Sequence, residues 1–256
     1  MSHNQPERYL RWDACYNARD LGGYATADGE RTRWGAVVRA DTMSRLTPAG
    51  RAALLAYGVR TIVDLRRSTE LETDPNPFAT PSSDAGDLTY LHLPLGAGAD
   101  RDGTLAVRAA GEGDDATLPG LYRQVIDHYW RGIASIMTAI ATAQEGAVLF
   151  HCHAGKDRTG LIAALLLALA GVPNTTIAED YALSQIYLKP IYEERLRQEL
   201  DPAKRARMSR MISAESATML DILSHLDTRH GGAERYLLAA GVARADVERL
   251  RRRIRG

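Results

Sequence analysis

Cysteine, phenylalanine and lysine are all scarce in this chain: two, two and three residues of 256, beside twenty-nine arginines. Two cysteines, Cys15 and Cys152, cannot build a disulfide framework, so a reducing compartment is the simplest expectation. No charge of one sign dominates, since 32 basic and 32 acidic residues cancel. That balance supplies no global field toward nucleic acid or an anionic membrane. Long hydrophobic runs are missing too. The longest, Leu161 to Ala170, falls far short of the ~20 apolar residues that span a bilayer, which argues against stable membrane insertion. The N-terminal stretch has no apolar core of the signal-peptide kind. The expected location is cytoplasmic, with export lacking such a signal left open.

What is present is an alternation of strand-like and helix-like segments. "YATADGERTRWGAVVRAD" (24–41) predicts two short strands around an Asp28-Gly29 turn. A short helix follows, with Thr47 as N-cap, Pro48 in first position and Gly58 as stop. "RTIVDLR" (60–66) and "LTYLHLPL" (88–95) read as strands, and 73–87 between them as loop. Residues 96–116, rich in glycine and aspartate, are expected to form a mobile loop. The spacing of Leu121, Val125, Tyr129, Ile133, Ile136 and Ile140 predicts one long helix over 118–144. "GAVLFHC" (146–152) is a strand and "RTGLIAALLLALAG" (158–171) a central helix, apolar nearly all round. Successive helices complete the chain, divided at Pro190, Asp201-Pro202 and Gly231-Gly232. The pattern predicts a single α/β domain over 1–256 with helical additions.

The strand and the central helix are joined by "HCHAGKDRTG" (151–160), which holds one of the two cysteines and one of the three lysines. A loop entering a helix N-terminus presents unpaired N–H groups and the positive end of the helix dipole, which together hold a phosphate-like anion. The same setting stabilises a thiolate. Arg158, six residues after Cys152, brings a guanidinium fork suited to two phosphate oxygens. A thiolate beneath a bound phosphoryl group is a nucleophile aimed at phosphorus. Cys152 is therefore the candidate nucleophile and Arg158 the candidate phosphate clamp, with amides from His153, Ala154, Gly155 and Lys156 onward completing the cradle. Thr159 is placed to donate to the sulfur as it leaves. A metal site at His151, Cys152 and His153 is disfavoured, because adjacent strand residues face opposite ways and no further ligand pair is spaced to complete it. A nucleotide-binding P-loop fails because Asp157 follows Gly155-Lys156 and Phe150 stands where its first glycine is needed.

The loop resembles the HCxxGxxR[S/T] signature of the cysteine-dependent protein tyrosine phosphatase superfamily. "GKDRTG" within it is similar to the bacterial tyrosine and phosphoinositide phosphatases of the PtpB type. "NARDLGGY" (17–24), "TIVDLR" (61–66) and "GGAERYLLAAGV" (231–242) resemble that family in the same order. The resemblance implies a central, mostly parallel sheet flanked by helices, a cysteinyl-phosphate intermediate, and no metal or cofactor. It implies phosphotyrosine proteins or peptides as substrates, with phosphoserine/threonine and phosphoinositides left open. Helices in the region 181–212 are implied as a lid; "KRARMSRM" (204–211), with Met208 and Met211 as apolar anchors, is a solvated face, part of that lid, or a contact to anionic lipid.

In the PtpB-like branch the aspartate before the signature arginine is implied as general acid, here Asp157; Asp100 and Asp102 on the glycine-rich loop are the alternatives. Lys156 resembles the lipid-phosphatase version of the loop, implying a flexible ammonium at the rim for a second acidic group. Asp64 and Arg66 fall at the carboxyl end of a strand, where ligand sites collect, and are expected among the substrate-binding residues, with Asp64 orienting Arg158 or the loop. Asn17, Arg19 and Asp20 are expected to brace it, and His151 to orient it. An arsenate reductase would need resolving cysteines, and only Cys15 is available. The rival of a different class is a catalytically inactive phospho-ligand-binding module.

Overall fold

The computed structural model describes residues 7–80, 86–96 and 117–255. Asp100 and Asp102, with most of the expected 96–116 loop, lie outside the described residues. Five strands form one sheet in the order β1-β2-β5-β3-β4: β1 (Arg19–Asp20), β2 (Val37–Ala40), β3 (Val59–Asp64), β4 (Thr89–His92) and β5 (Ala147–His151). All pairings are parallel except β1 with β2.

Side chains alternate across this sheet, and the core divides accordingly. Val37, Val63, Val148 and Phe150 face one hydrophobic cluster, while Val38, Ala40, Ile62 and Leu149 face another. The first cluster is roofed by helices α3 (Leu118–His128), α4 (Trp130–Thr142), α5 (Asp157–Leu169), α6 (Asn174–Tyr187), α9 (Ser216–His230), α10 (Ala233–Ala239) and α11 (Arg244–Arg255). The second is closed by the N-terminal segment, through Leu10 and Trp12, and by helix α1 (Pro48–Ala56), through Leu54. Helix α5 is buried all round because it lies in the middle of the first layer, as its uniform apolarity predicts.

Local chemistry explains most boundaries. Thr47 Oγ1 accepts from Gly50 N at 3.1 Å, capping α1. Asp201 caps α8 (Pro202–Ile212), and Gly231 ends α9 in the left-handed conformation at φ 74°. Pro190 opens α7 (Lys189–Gln198) at its first turn.

Two expectations are corrected and one helix is added. The turn at Asp28-Gly29 closes a short hairpin, with Thr26 N on the Glu30 carbonyl and Thr32 N on the Tyr24 carbonyl (both 2.9 Å), but its arms form only one bridge, Ala25 to Arg31, and the strand at Val37–Ala40 pairs instead with Arg19–Asp20. The single helix over 118–144 breaks at Tyr129 (φ −103°, ψ 23°) into α3 and α4. Residues Ser68–Thr73, to which no element was assigned, form helix α2.

Candidate active site

The loop after β5 has its peptide groups turned by the scaffold. The carbonyl of His151 accepts from Leu65 N at 2.8 Å, and that of His153 from Thr42 N at 3.0 Å. The Cys152 carbonyl faces His151 Nδ1 at 3.1 Å, the Ala154 carbonyl accepts from Asn17 Nδ2 at 3.0 Å, and the Gly155 carbonyl from Arg39 Nη2 at 2.9 Å. Carbonyl and amide point oppositely within a planar trans peptide. Drawing five successive carbonyls outward therefore turns the following amides inward, into the concavity that ends at the N-terminus of α5. Gly155 makes this path possible. It sits at φ 67°, and a Cβ there would lie 2.4 Å from the Ala40 carbonyl oxygen.

Beneath the loop lies a buried ionic layer. Arg19 Nε and Arg39 Nη1 hold the two oxygens of Asp180 at 2.9 and 2.5 Å, and Tyr24 donates its hydroxyl to the same carboxylate at 2.8 Å. Burial opposes the Asp180 charge, yet the two guanidinium groups hold its carboxyl well below the usual range. Arg39 shifts down to about 10, through burial and the neighbouring Arg19 charge. Arg39 thus joins this layer to the loop through the Gly155 carbonyl. The expected bracing role of Asn17 and Arg19 is visible here, since Arg19 Nη1 also holds Asn17 Oδ1 at 2.6 Å. Asp20 instead braces the neighbouring turn, through Gly22 N and Gly35 N.

Above this frame, Cys152 is buried and Arg158 is 22% exposed. Arg158 Nη1 and Nη2 donate to the two oxygens of Glu70 at 2.7 and 2.8 Å, and Nη1 also meets the Leu65 carbonyl at 3.3 Å. This end-on grip leaves Nε–H and the outer Nη2–H, which lie side by side on one edge of the guanidinium, without a partner among the described residues. That edge is a two-pronged donor for two phosphate oxygens. Burial disfavours the Arg158 charge, but Glu70 and the nearby Cys152 and Asp157 outweigh it and raise its pKa. Glu70 in turn falls to about 2 against the pull of burial, chiefly through Arg158.

Asp157, the first residue of α5, is 39% exposed. Its Oδ1 accepts from Lys156 Nζ at 2.6 Å and from the Tyr122 hydroxyl, which also meets the Tyr181 hydroxyl at 2.9 Å. Burial would raise this carboxyl; the Lys156 charge and the bonds from Lys156 and Tyr122 prevail and hold it below the ordinary value. In this arrangement Asp157 is a carboxylate.

Four assigned residues sit differently from expectation. Lys156 is no free ammonium at the rim: it is 1% exposed and bridges Asp157 to the Ser213 carbonyl, 3.0 Å away at the end of α8. The carboxylate beside it, 2.6 Å away, is the reason. Burial works against the lysine charge, and Asp157 more than restores it. Thr159 Oγ1 is buried and makes no hydrogen bond among the described residues, so the expected bond to the Cys152 sulfur is not formed. Asp64 and Arg66 are fully buried and bonded to each other (2.8 Å), which removes them from substrate contact. Asp64 does not touch Arg158, whose carboxylate partner is Glu70; it reaches the loop through His151 Nε2 (3.3 Å) and Asn76 (2.9 Å). His151 does orient the loop, since its ring bridges Asn76 and the Cys152 carbonyl. His153 is half-buried, and burial together with Arg195 and Arg45 lowers its pKa, leaving it neutral at pH 7.

Cys15 donates its thiol to Asp41 at 2.9 Å, and burial beside that carboxylate pushes its pKa well up. Both cysteines are free.

Two residues of α7 reach this centre. Tyr192 is buried, and burial together with the neighbouring Asp157 raises its phenol. Arg195, one turn on, is the charge that acts on His153. Tyr192 also lines a cavity of about 730 Å³ with Gln185, Lys189, Ile212 and Ser213. Met208 on α8 is partly buried, and the side chain of Met211 lies outside what is described.

A family model described as "Tyrosine phosphatase family" matches residues 10–256. The chain belongs to the tyrosine phosphatase family. A tyrosine-protein phosphatase of Nostoc commune is 34% identical over 225 residues, 86% of this chain and 74% of that protein. The triple specificity protein phosphatase PtpB of Mycobacterium tuberculosis is 29% identical over 272 aligned positions, 93% of this chain and 95% of its own. Within this tyrosine phosphatase, the signature loop marks the candidate nucleophile and the arginine, whereas Glu70 and Tyr122 carry no comparable signal. The Glu70 carboxylate comes from a two-turn helix whose only mark is Ser68-Thr69-Glu70. Tyr122 reads simply as one more residue of an amphipathic helix.

Proposed function

We propose that this protein hydrolyses phosphate monoesters of tyrosine through a cysteinyl-phosphate. The observation that carries the reading is a loop opened by Cys152 whose carbonyls bond to the scaffold, closed by Arg158 with one guanidinium edge unpaired among the described residues. In the first step the Cys152 sulfur bonds to phosphorus, the bond from phosphorus to the tyrosine oxygen breaks, and that oxygen takes a proton from Asp157. Water then attacks phosphorus, giving its proton to Asp157, and the sulfur–phosphorus bond breaks to release inorganic phosphate. The carboxylate form that Lys156 and Tyr122 favour for Asp157 suits the second step directly. The first requires protonation against the Lys156 and Tyr122 bonds.

The single domain over 1–256 is supported by one sheet serving both hydrophobic clusters. A lid role for 181–212 is supported by Tyr192 and Arg195 near the loop and by the Lys156 bond to Ser213. Cytoplasmic action rests on the cysteine usage; among the described residues no helix is long and apolar enough to cross a membrane. Activity beyond phosphotyrosine is supported by the relative named as triple specificity. For phosphoinositides, Lys156 must first leave Asp157 and Ser213, so phosphotyrosine is the favoured class. Phosphate release from a phosphotyrosine peptide and a monophosphorylated phosphoinositide, by wild type and Lys156→Ala, tests this. Loss of lipid turnover alone in the variant would make the lysine a lipid selector and reverse that preference.

A further inference from the structure

Asp127 at the end of α3 and two histidines of α9 meet away from the phosphate loop. His225 Nε2 lies 3.0 Å and His230 Nε2 2.9 Å from the same oxygen, Asp127 Oδ1. All three donor atoms fall within 4.8 Å of one another. We propose that Asp127, His225 and His230 form a non-catalytic site for a divalent transition metal of the zinc class, bound by two imidazole nitrogens and one carboxylate.

The donor set fits that ion. Zinc takes imidazole nitrogen and carboxylate oxygen at ~2.0–2.2 Å in a tetrahedron, which separates neighbouring ligand atoms by ~3.3 Å. The separations at Asp127 reach this with shifts of a few tenths of an ångström.

The site is preformed by contacts that need no metal. Arg123 and Asp221 pair at 2.8 Å and hold α3 beside α9. The His230 ring packs edge-on against Tyr236, whose hydroxyl donates to the Ile126 carbonyl at 2.8 Å, next to Asp127. The three ligand side chains are about one-fifth exposed, so an ion can enter and water can complete its shell. One cation competes: Arg229 Nε lies 3.5 Å from the same oxygen. Its side chain is 64% exposed and can swing into solvent. A bound ion would staple α9 to α3, the helix that presents Tyr122 to Asp157.

The test is isothermal titration of metal-free protein with Zn²⁺, together with visible absorption on adding Co²⁺. Both are done in a Cys152→Ser background, so that the active-site thiol is not the ligand. The decisive variant is His225→Gln/His230→Gln, because glutamine keeps an N–H for Asp127 and the helix clamp but ligates metal poorly. Expected are one equivalent of Zn²⁺, tetrahedral Co²⁺ bands and a metal-dependent rise in melting temperature, with affinity at least tenfold weaker in the glutamine variant. Equal affinity in that variant, or no saturable binding to the Cys152→Ser protein, would overturn the site. Circular dichroism of the variant confirms that it folds.

Discussion

Arg158 grips Glu70 end-on, with Nη1 and Nη2 at 2.7 and 2.8 Å from the two carboxylate oxygens. Because Glu70 occupies one edge of the guanidinium, the other is fixed in direction before any phosphate arrives. Glu70→Ala leaves Arg158 charged but free to rotate, and misplacing a clamping group by about 1 Å costs on the order of a hundredfold. The expected outcome in steady-state kinetics is a fall in kcat/KM of that order with Cys152 intact. A variant with wild-type kcat/KM would show that Arg158 needs no such partner.

The same pair sets an acid limit. Glu70 has its pKa lowered to about 2 from an ordinary 4.5. Its contribution to stability is fully present above about 4.5 and is lost as pH falls toward about 2. Chemical denaturation across that window should show less acid loss for Glu70→Gln than for wild type. Parallel curves would place the acid sensitivity elsewhere.

Asp157 is held ionised by Lys156 and Tyr122, so its proton for the first step is scarce at neutral pH. Removing a group that stabilises the carboxylate raises its pKa. The basic limb of the pH–rate profile should therefore move to higher pH in Tyr122→Phe. Asp157→Asn should lose about 10²–10⁴ in kcat/KM on phosphotyrosine, and much less in kcat/KM on an aryl phosphate whose leaving group needs no proton. Equal losses on both would deny Asp157 the acid role.

Asp180 has its side chain 1% exposed and bridges Arg19 and Arg39. Deleting one member of such a buried set strands the others, at a cost of about 3–5 kcal/mol. Asp180→Ala should lower unfolding stability by that amount in urea titration, and activity with it through the Gly155 carbonyl. A loss under 1 kcal/mol would mean that the layer relaxes.

Gly155 tests the cradle from the backbone side. In Gly155→Ala the new methyl meets Ala40 at 2.4 Å, at a φ of 67°. Phosphate or vanadate affinity should collapse while circular dichroism stays native. Unchanged vanadate binding would contradict the inward-amide account.

Much of this was legible in the sequence, for identifiable reasons. β3, β5 and α5 are written in apolar runs whose length and flanking residues permit few alternatives, and the loop between β5 and α5 is specified by residue type at fixed spacing. Glu70 was not legible, because its role depends on an arginine 88 residues away. Lys156 misled for a related reason: a local reading sees an ammonium near a phosphate site, whereas burial is decided by Ser213, 57 residues on. Asp64 and Arg66 stood at the expected sheet edge, yet each found its partner within two residues and turned inward.

The most direct test of the central claim is to quench wild type, Cys152→Ser and Asp157→Asn during turnover of a phosphotyrosine peptide and examine Cys152 by mass spectrometry. The account predicts a phosphoryl adduct on Cys152 in wild type, no adduct and no phosphate release in Cys152→Ser, and an adduct that persists in Asp157→Asn. Phosphate release by Cys152→Ser would contradict it. Binding of the peptide by wild type without turnover would make the protein a phospho-ligand-binding module instead.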